Sequence, residues 1–162
     1  MKIFILTFAF IFSCLAGIAQ LKITPICPLF VVDIVGGSVN ELYAKSTMGE
    51  IKNIFPCYSE IVLKDTANKC EGIFYKDKDI YFYTDRDYIE IGPNFKGKLI
   101  PALMGASRSI LFSLLGHPKI KDINWDAFQT EYGTLIIYYN KAGKINKLQM
   151  SSKGTDILKL CE

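Results

Sequence analysis

Thr134-Leu135-Ile136-Ile137-Tyr138-Tyr139-Asn140-Lys141-Ala142-Gly143-Lys144-Ile145-Asn146-Lys147-Leu148-Gln149-Met150 is the stretch whose reading decides the fold. Six β-branched, aliphatic and aromatic residues run up to a polar turn that contains glycine. A second run follows, in which Leu148 and Met150 fall on one face. This is a strand, a turn and a strand, the pattern of an antiparallel hairpin. The pattern also occurs earlier: Gly72-Ile73-Phe74-Tyr75, the turn Lys76-Asp77-Lys78-Asp79, then Ile80-Tyr81-Phe82-Tyr83. Tyr88-Ile89-Glu90-Ile91 continues it as a third strand, ended by Gly92-Pro93.

A short amphipathic helix is predicted ahead of each hairpin. In the first, Ser46 or Thr47 supplies a capping hydroxyl and Glu50 stands three residues after Thr47, the spacing of a capping box. Met48, Ile51, Ile54 and Phe55 share a helical face, and Pro56 stops the helix. In the second, Ser107 takes the capping position, Ile110, Leu111, Leu114 and Leu115 share a face, and Gly116-His117-Pro118 ends it. The offset between the two is sixty residues, Thr47 to Ser107 and Ile51 to Leu111. An earlier β-branched run, 29–35, reads as a first strand closed by Gly36-Gly37, and Trp125 falls in a loop. The expectation is an α+β fold in which short helices pack on an antiparallel sheet as two helix-hairpin repeats, leaving one open sheet face. Its divisions are residues 1–19, a first unit over 20–95 that includes the first strand, and a second unit over 96–162.

Leu114-Leu115-Gly116-His117-Pro118, then Trp125, then Tyr138-Tyr139-Asn140-Lys141-Ala142-Gly143-Lys144-Ile145 resembles the small helix-plus-sheet module of the BamE lipoproteins and the β-lactamase inhibitor protein. The resemblance spans residues 40–152. The inhibitor protein is similar in carrying the module twice, with disulfides. The likeness implies a non-enzymatic binding role in the envelope or outside the cell. The chain departs from the pattern at Phe55-Pro56, where the family shows Leu-Gly.

MKIFILTFAFIFSCLAGIA, residues 1–19, has one cation at Lys2, an apolar run from Ile3 to Phe12 and small residues at Gly17 and Ala19. It reads as a bacterial-type secretory signal cleaved after Ala19, which places the mature chain in the periplasm or outside the cell. Two alternatives are a lipoprotein signal acylated at Cys14, against which Phe12 and the apolar residues after Cys14 count, and an uncleaved anchor. Membrane contact is expected only in those two cases. Taking Lys2 from 19 basic residues leaves 18 against 16 acidic ones. That near-neutral, scattered charge argues against a nucleic-acid partner. Cys27, Cys57, Cys70 and Cys161 remain after the signal, an even set with three pairings. Cys57 with Cys70 would close a short loop while Cys27 with Cys161 ties the ends, and four unpaired core thiols are the alternative.

The motifs for chemistry are weak. His117 is the only histidine. At a helix end it suits a structural role facing the terminal carbonyls; a small secreted hydrolase would have to be centred on it. Gly105-Ala106-Ser107-Arg108-Ser109 lacks the second glycine of a nucleophile elbow. Ala44-Lys45-Ser46-Thr47 lacks the glycine that a phosphate loop needs before its lysine. Asp77, Asp79, Asp85, Asp87 and Glu90 miss the glycine and glutamate positions of a calcium loop and read as turn residues. No metal, cofactor or enzymatic activity is expected. The aromatic residues are more informative. On a strand Tyr81 and Tyr83 point one way and Ile80 and Phe82 the other, and both sides cannot face one core. Tyr81, Tyr83, Trp125 and Tyr138 are therefore the expected contacts with a protein partner on an open sheet face, with a purely structural or ligand-carrying module as a further alternative.

Overall fold

The computed structural model describes residues 25–64 and 70–161, so the signal segment 1–19 and Cys14 lie outside the described residues. Among the described residues, two helices and twelve strands form an α+β fold. The strands are β1 (Val31–Asp33), β2 (Ser38–Val39), β3 (Leu42–Tyr43), β4 (Glu60–Val62), β5 (Gly72–Tyr75), β6 (Ile80–Tyr83), β7 (Tyr88–Ile91), β8 (Lys98–Ile100), β9 (Ile120–Lys121), β10 (Trp125–Thr130), β11 (Gly133–Tyr139) and β12 (Ile145–Ser151). Helix α1 spans Met48–Ile54 and α2 spans Ile110–Leu115. None of the described helices is long and apolar enough to cross a membrane.

Eight strands form one sheet in the order β4-β5-β6-β7-β12-β11-β10-β9, with every neighbouring pair antiparallel. Each half is a helix followed by a four-strand meander, and the halves meet where the last strands of the two meanders, β7 and β12, pair. A second sheet, β3-β2-β1-β8, forms where β8 returns to lie parallel to β1. The core lies between the small sheet with the helices and one face of the large sheet. Register aligns its residues in rows. One row is Ile73, Phe82, Ile89, Met150, Leu135 and Phe128, and the next is Tyr75, Ile80, Ile91, Leu148, Ile137 and Asp126.

Helix α1 starts as its sequence dictates. The Glu50 N–H donates to Thr47 Oγ1 at 3.3 Å, and the Thr47 N–H donates back to Glu50 Oε2 at 2.7 Å, a closed capping box. These bonds hold the Glu50 carboxyl below its ordinary range. Ile51 and Phe55 go into the core, where Phe55 stacks on Phe30 at 4.0 Å and the Tyr75 hydroxyl donates to the Phe55 carbonyl at 2.6 Å. That bond satisfies a carbonyl at the helix end, which has no partner within the helix. Sixty residues on, Leu111 is buried as Ile51 is.

The second helix departs from expectation. It begins at Ile110 after Ser109, not at Ser107, because Ser107 and its neighbours are drawn into pairing with the β11–β12 hairpin. The Ile145 N–H bonds to the Ala106 carbonyl at 2.9 Å, and Ser107 bridges to Lys144. Ile110 and Leu114, expected on the buried face, are exposed instead. Six residues complete less than two turns; only Leu111 is fully buried, and Leu115 packs against the core while still partly exposed.

Trp125 is also placed differently: it opens strand β10 and is not in a loop. The alternation there is disguised by Asp126, which takes a core-face position and is 2% exposed. Its carboxylate accepts from Arg108 Nε at 2.8 Å, from Arg108 Nη2, and from the Tyr139 hydroxyl at 2.6 Å. The guanidinium lies 4.8 Å from the centre of the Tyr139 ring. A buried charge with these partners is satisfied, so β10 can keep its register.

All four described cysteines are bonded, but the short-loop pairing is wrong: Cys27 joins Cys57 and Cys70 joins Cys161. Strand β4 lies between Cys57 and Cys70. Cys57 precedes the Glu60 end of β4, whereas Cys70 precedes Gly72, which pairs with Val62 at its other end, so the two cysteines lie at opposite ends of the β4–β5 pair. On the chain-entropy model the loops actually closed, 30 and 91 residues apart in sequence, are worth about 4 and about 5 kcal/mol.

Candidate functional site

The large sheet has a second face, turned away from the helices. Its central row runs Glu60, Phe74, Tyr81, Glu90, Gln149, Ile136, Ala127 and Ile120 across all eight strands. On one side lies the row Val62, Gly72, Tyr83, Tyr88, Ser151, Thr134 and Gln129; on the other, Lys147, Tyr138 and Trp125. All four expected contact residues, Tyr81, Tyr83, Trp125 and Tyr138, therefore share this face, and each is half-buried. The parity of the strands accounts for this. A residue next to Ile80, Phe82 or Ile137, whose side chains enter the core, must point the other way.

Polar side chains tie the rows together. The Tyr138 hydroxyl donates to Gln149 Oε1 at 2.7 Å, and Gln149 Nε2 donates to Glu90 Oε2 at 2.6 Å. Lys147 places its ammonium 4.2 Å from the Tyr138 ring centre and 3.5 Å from the same Glu90 oxygen. Burial and the Glu90 charge push the Tyr138 phenol up to about 12. Tyr81 is also pushed up to about 12, first by burial and then by its hydrogen bond to Asp79 Oδ1 at 3.1 Å. Both phenols therefore stay neutral at physiological pH, offering a hydroxyl and an aromatic face without charge.

Aromatic packing continues from there. Phe74 lies 5.7 Å from Tyr81 and 5.1 Å from Tyr83, and Tyr83 stacks on Tyr88 at 4.4 Å. With Glu60, Lys76, Glu90 and Lys147, the rings of Phe74, Tyr81 and Tyr83 line an open groove of about 550 Å³. Cation and anion are balanced along it: Lys76 pairs with Glu60 at 2.5 Å and Lys147 with Glu90. Phe74 and Gln149, in the central row of this face, join the four expected contacts. The strand parity of Phe74 was readable, but Gln149 becomes visible only through its register opposite Glu90.

Comparison with family models, with curated proteins and with solved structures finds no match to this chain. His117 is exposed, with its ring 4.6 Å from Phe112, and makes no hydrogen bond among the described residues. The nucleophile–histidine contact that a hydrolase centred on His117 requires is not formed there. Cys70, Asp85 and Cys161 bring possible ligand atoms within 4.8 Å of one another, but both sulfurs are joined in the disulfide and are not thiolates.

Proposed function

We propose that the mature chain is an exported, non-enzymatic binding protein that holds a protein partner on the aromatic face of its large sheet. The observation that carries this reading is the gathering of Phe74, Tyr81, Tyr83, Tyr138 and Trp125 on the face opposite the core, half-exposed and beside a groove. Tyrosine and tryptophan dominate binding hot spots because each offers a large rigid surface with a polar handle and few rotamers to freeze. Here the rings are braced by one another and by the Glu90–Gln149 network, so binding would cost little further ordering. The secretory reading of residues 1–19, the two disulfides and the absence of net-charge bias all favour a partner in the envelope or outside the cell.

The test is retention of a discrete protein from the native envelope fraction by the tagged mature chain, compared with a Tyr81→Ala/Tyr138→Ala variant. The half-exposed positions should leave the thermal midpoint within a few degrees of wild type. Retention should fall at least about tenfold, as expected when two aromatic anchors are lost. Equal retention by both proteins would remove the reading.

A further inference from the structure

Tyr88 is the bulkiest of the residues sealed on this face, where Gln149, Ile136, Ala127, Thr134 and Ser151 are also buried. It sits in the same row as Tyr83, away from the core cluster, yet it is 1% exposed. Its cover is the chain's own C-terminal segment. After β12, the Lys153 carbonyl accepts from Thr134 Oγ1 at 2.7 Å, and the Thr155 N–H reaches Gln129 Oε1 at 3.4 Å. At the far end the Cys161 N–H donates to the Tyr88 hydroxyl at 3.1 Å, and Cys161 is bonded to Cys70, two residues before β5. Residues 152–161 therefore cross the sheet from β10 to β5 along the row Gln129, Thr134, Ser151, Tyr88.

The hold is uneven. Between Thr155 and Cys161 the segment makes no hydrogen bond to the sheet among the described residues, and Ile157 is 61% exposed. Beneath it the ladder is complete without it, since Tyr88 pairs with Tyr83 on one side and Ser151 on the other. The two disulfides also differ in setting. Cys27 and Cys57 pack against the core, whereas Cys70 and Cys161 line the open groove, where a reductant can reach them.

We propose that residues 152–161 are a strap latched across one row of the binding face by the Cys70–Cys161 disulfide, and that opening this bond lifts the strap and adds Tyr88 to the exposed aromatic surface. The use of the enlarged surface rests on the partner-binding reading, but the latch itself does not. In the opening step a thiolate of a dithiol reductant attacks one sulfur, the S–S bond breaks, and a mixed disulfide forms. The reductant's second thiol then displaces the cysteine and closes the reductant's own disulfide. Two electrons and two hydrogens pass to Cys70 and Cys161, and the dithiol is oxidised.

The experiment is hydrogen exchange on the mature protein with and without dithiothreitol, with tyrosine nitration followed in parallel. Once Cys70–Cys161 is reduced and Cys27–Cys57 is still bonded, the Thr155 and Cys161 amides should exchange at least about tenfold faster, while those of β6, β7 and β12 keep their protection. Tyr88 should change from unreactive to nitrated. A Cys70→Ser/Cys161→Ser variant should show the same pattern without reductant. Continued protection of the strap after reduction overturns the latch, as does loss of sheet protection in either sample, because the bond would then staple the fold itself. These readouts need no partner, so failure of the partner-binding reading would leave them unchanged.

Discussion

Arg108→Met separates the fold's least expected interaction from its surroundings. In the native chain the Asp126 carboxylate, 2% exposed on the core side of β10, accepts two hydrogen bonds from Arg108 and one from Tyr139. Arg108 also donates to the Asp122 carbonyl at 2.8 Å. After the substitution only the Tyr139 hydroxyl remains on a buried charge. Breaking a buried pair in this way costs ~3–5 kcal/mol. The Arg108 side chain is 31% exposed, so water can take part of its place, and the lower end of that range, about 3 kcal/mol, is expected. At ~2–4 °C per kcal/mol for a chain of this size, the thermal midpoint should fall by about 6–12 °C. The control removes all three polar partners at once: Arg108→Met with Asp126→Leu and Tyr139→Phe should lie within about 1 kcal/mol of wild type, since no buried group is left unpaired. Denaturant unfolding at neutral pH with both disulfides intact measures each difference. The reasoning is refuted if the single substitution costs under about 1 kcal/mol, or if the triple variant is as unstable as the single.

Two further outcomes follow from buried tyrosines. Tyr75→Phe should cost about 1–3 kcal/mol in the same assay, because the Phe55 carbonyl loses its 2.6 Å partner in a sealed site; a change below about 0.5 kcal/mol would mean that the carbonyl finds water. Stability should also fall with alkali. Tyr81 and Tyr138 are raised to about 12, and Tyr75, Tyr88, Tyr132 and Tyr139 are raised as well, all led by burial. The unfolded chain releases its phenolic protons near pH 10, before the folded one does, so the stabilisation is complete below about pH 10 and drains away up to about pH 12. A urea midpoint that held steady or rose over that interval would contradict the burial of these rings.

The elements legible in the sequence are those whose determinants are local. The Thr47–Glu50 capping box, the β5–β6 hairpin with its Lys76–Asp79 turn and the opposed faces of Ile80-Tyr81-Phe82-Tyr83 depend on neighbours within a few residues. The shared face of Tyr81, Tyr83, Trp125 and Tyr138 follows from the same parity once the strands are aligned. What stayed hidden depends on distant partners. Asp126 breaks the apolar pattern of β10 because its counter-charge comes from Arg108, eighteen residues earlier. The cysteine pairing turns on β4, a three-residue strand whose ends carry no strong turn signal. The strap over Tyr88 is set by register across strands far apart in the chain, so residues 152–161 offer no local pattern that could announce it. Ser107 failed as a helix cap for the same reason, since pairing with Lys144 determines its backbone.

The central claim is that the aromatic sheet face contacts a protein partner, and site-specific photo-crosslinking in the native envelope tests it most directly. A photoreactive side chain at Tyr81, and in a second sample at Tyr138, should give one discrete crosslinked product of the same mass difference. The same group at Val35, exposed beside the small sheet on the other side of the core, should give none. Absence of product at both tyrosine positions, or an equal product from Val35, would contradict the assignment of this face.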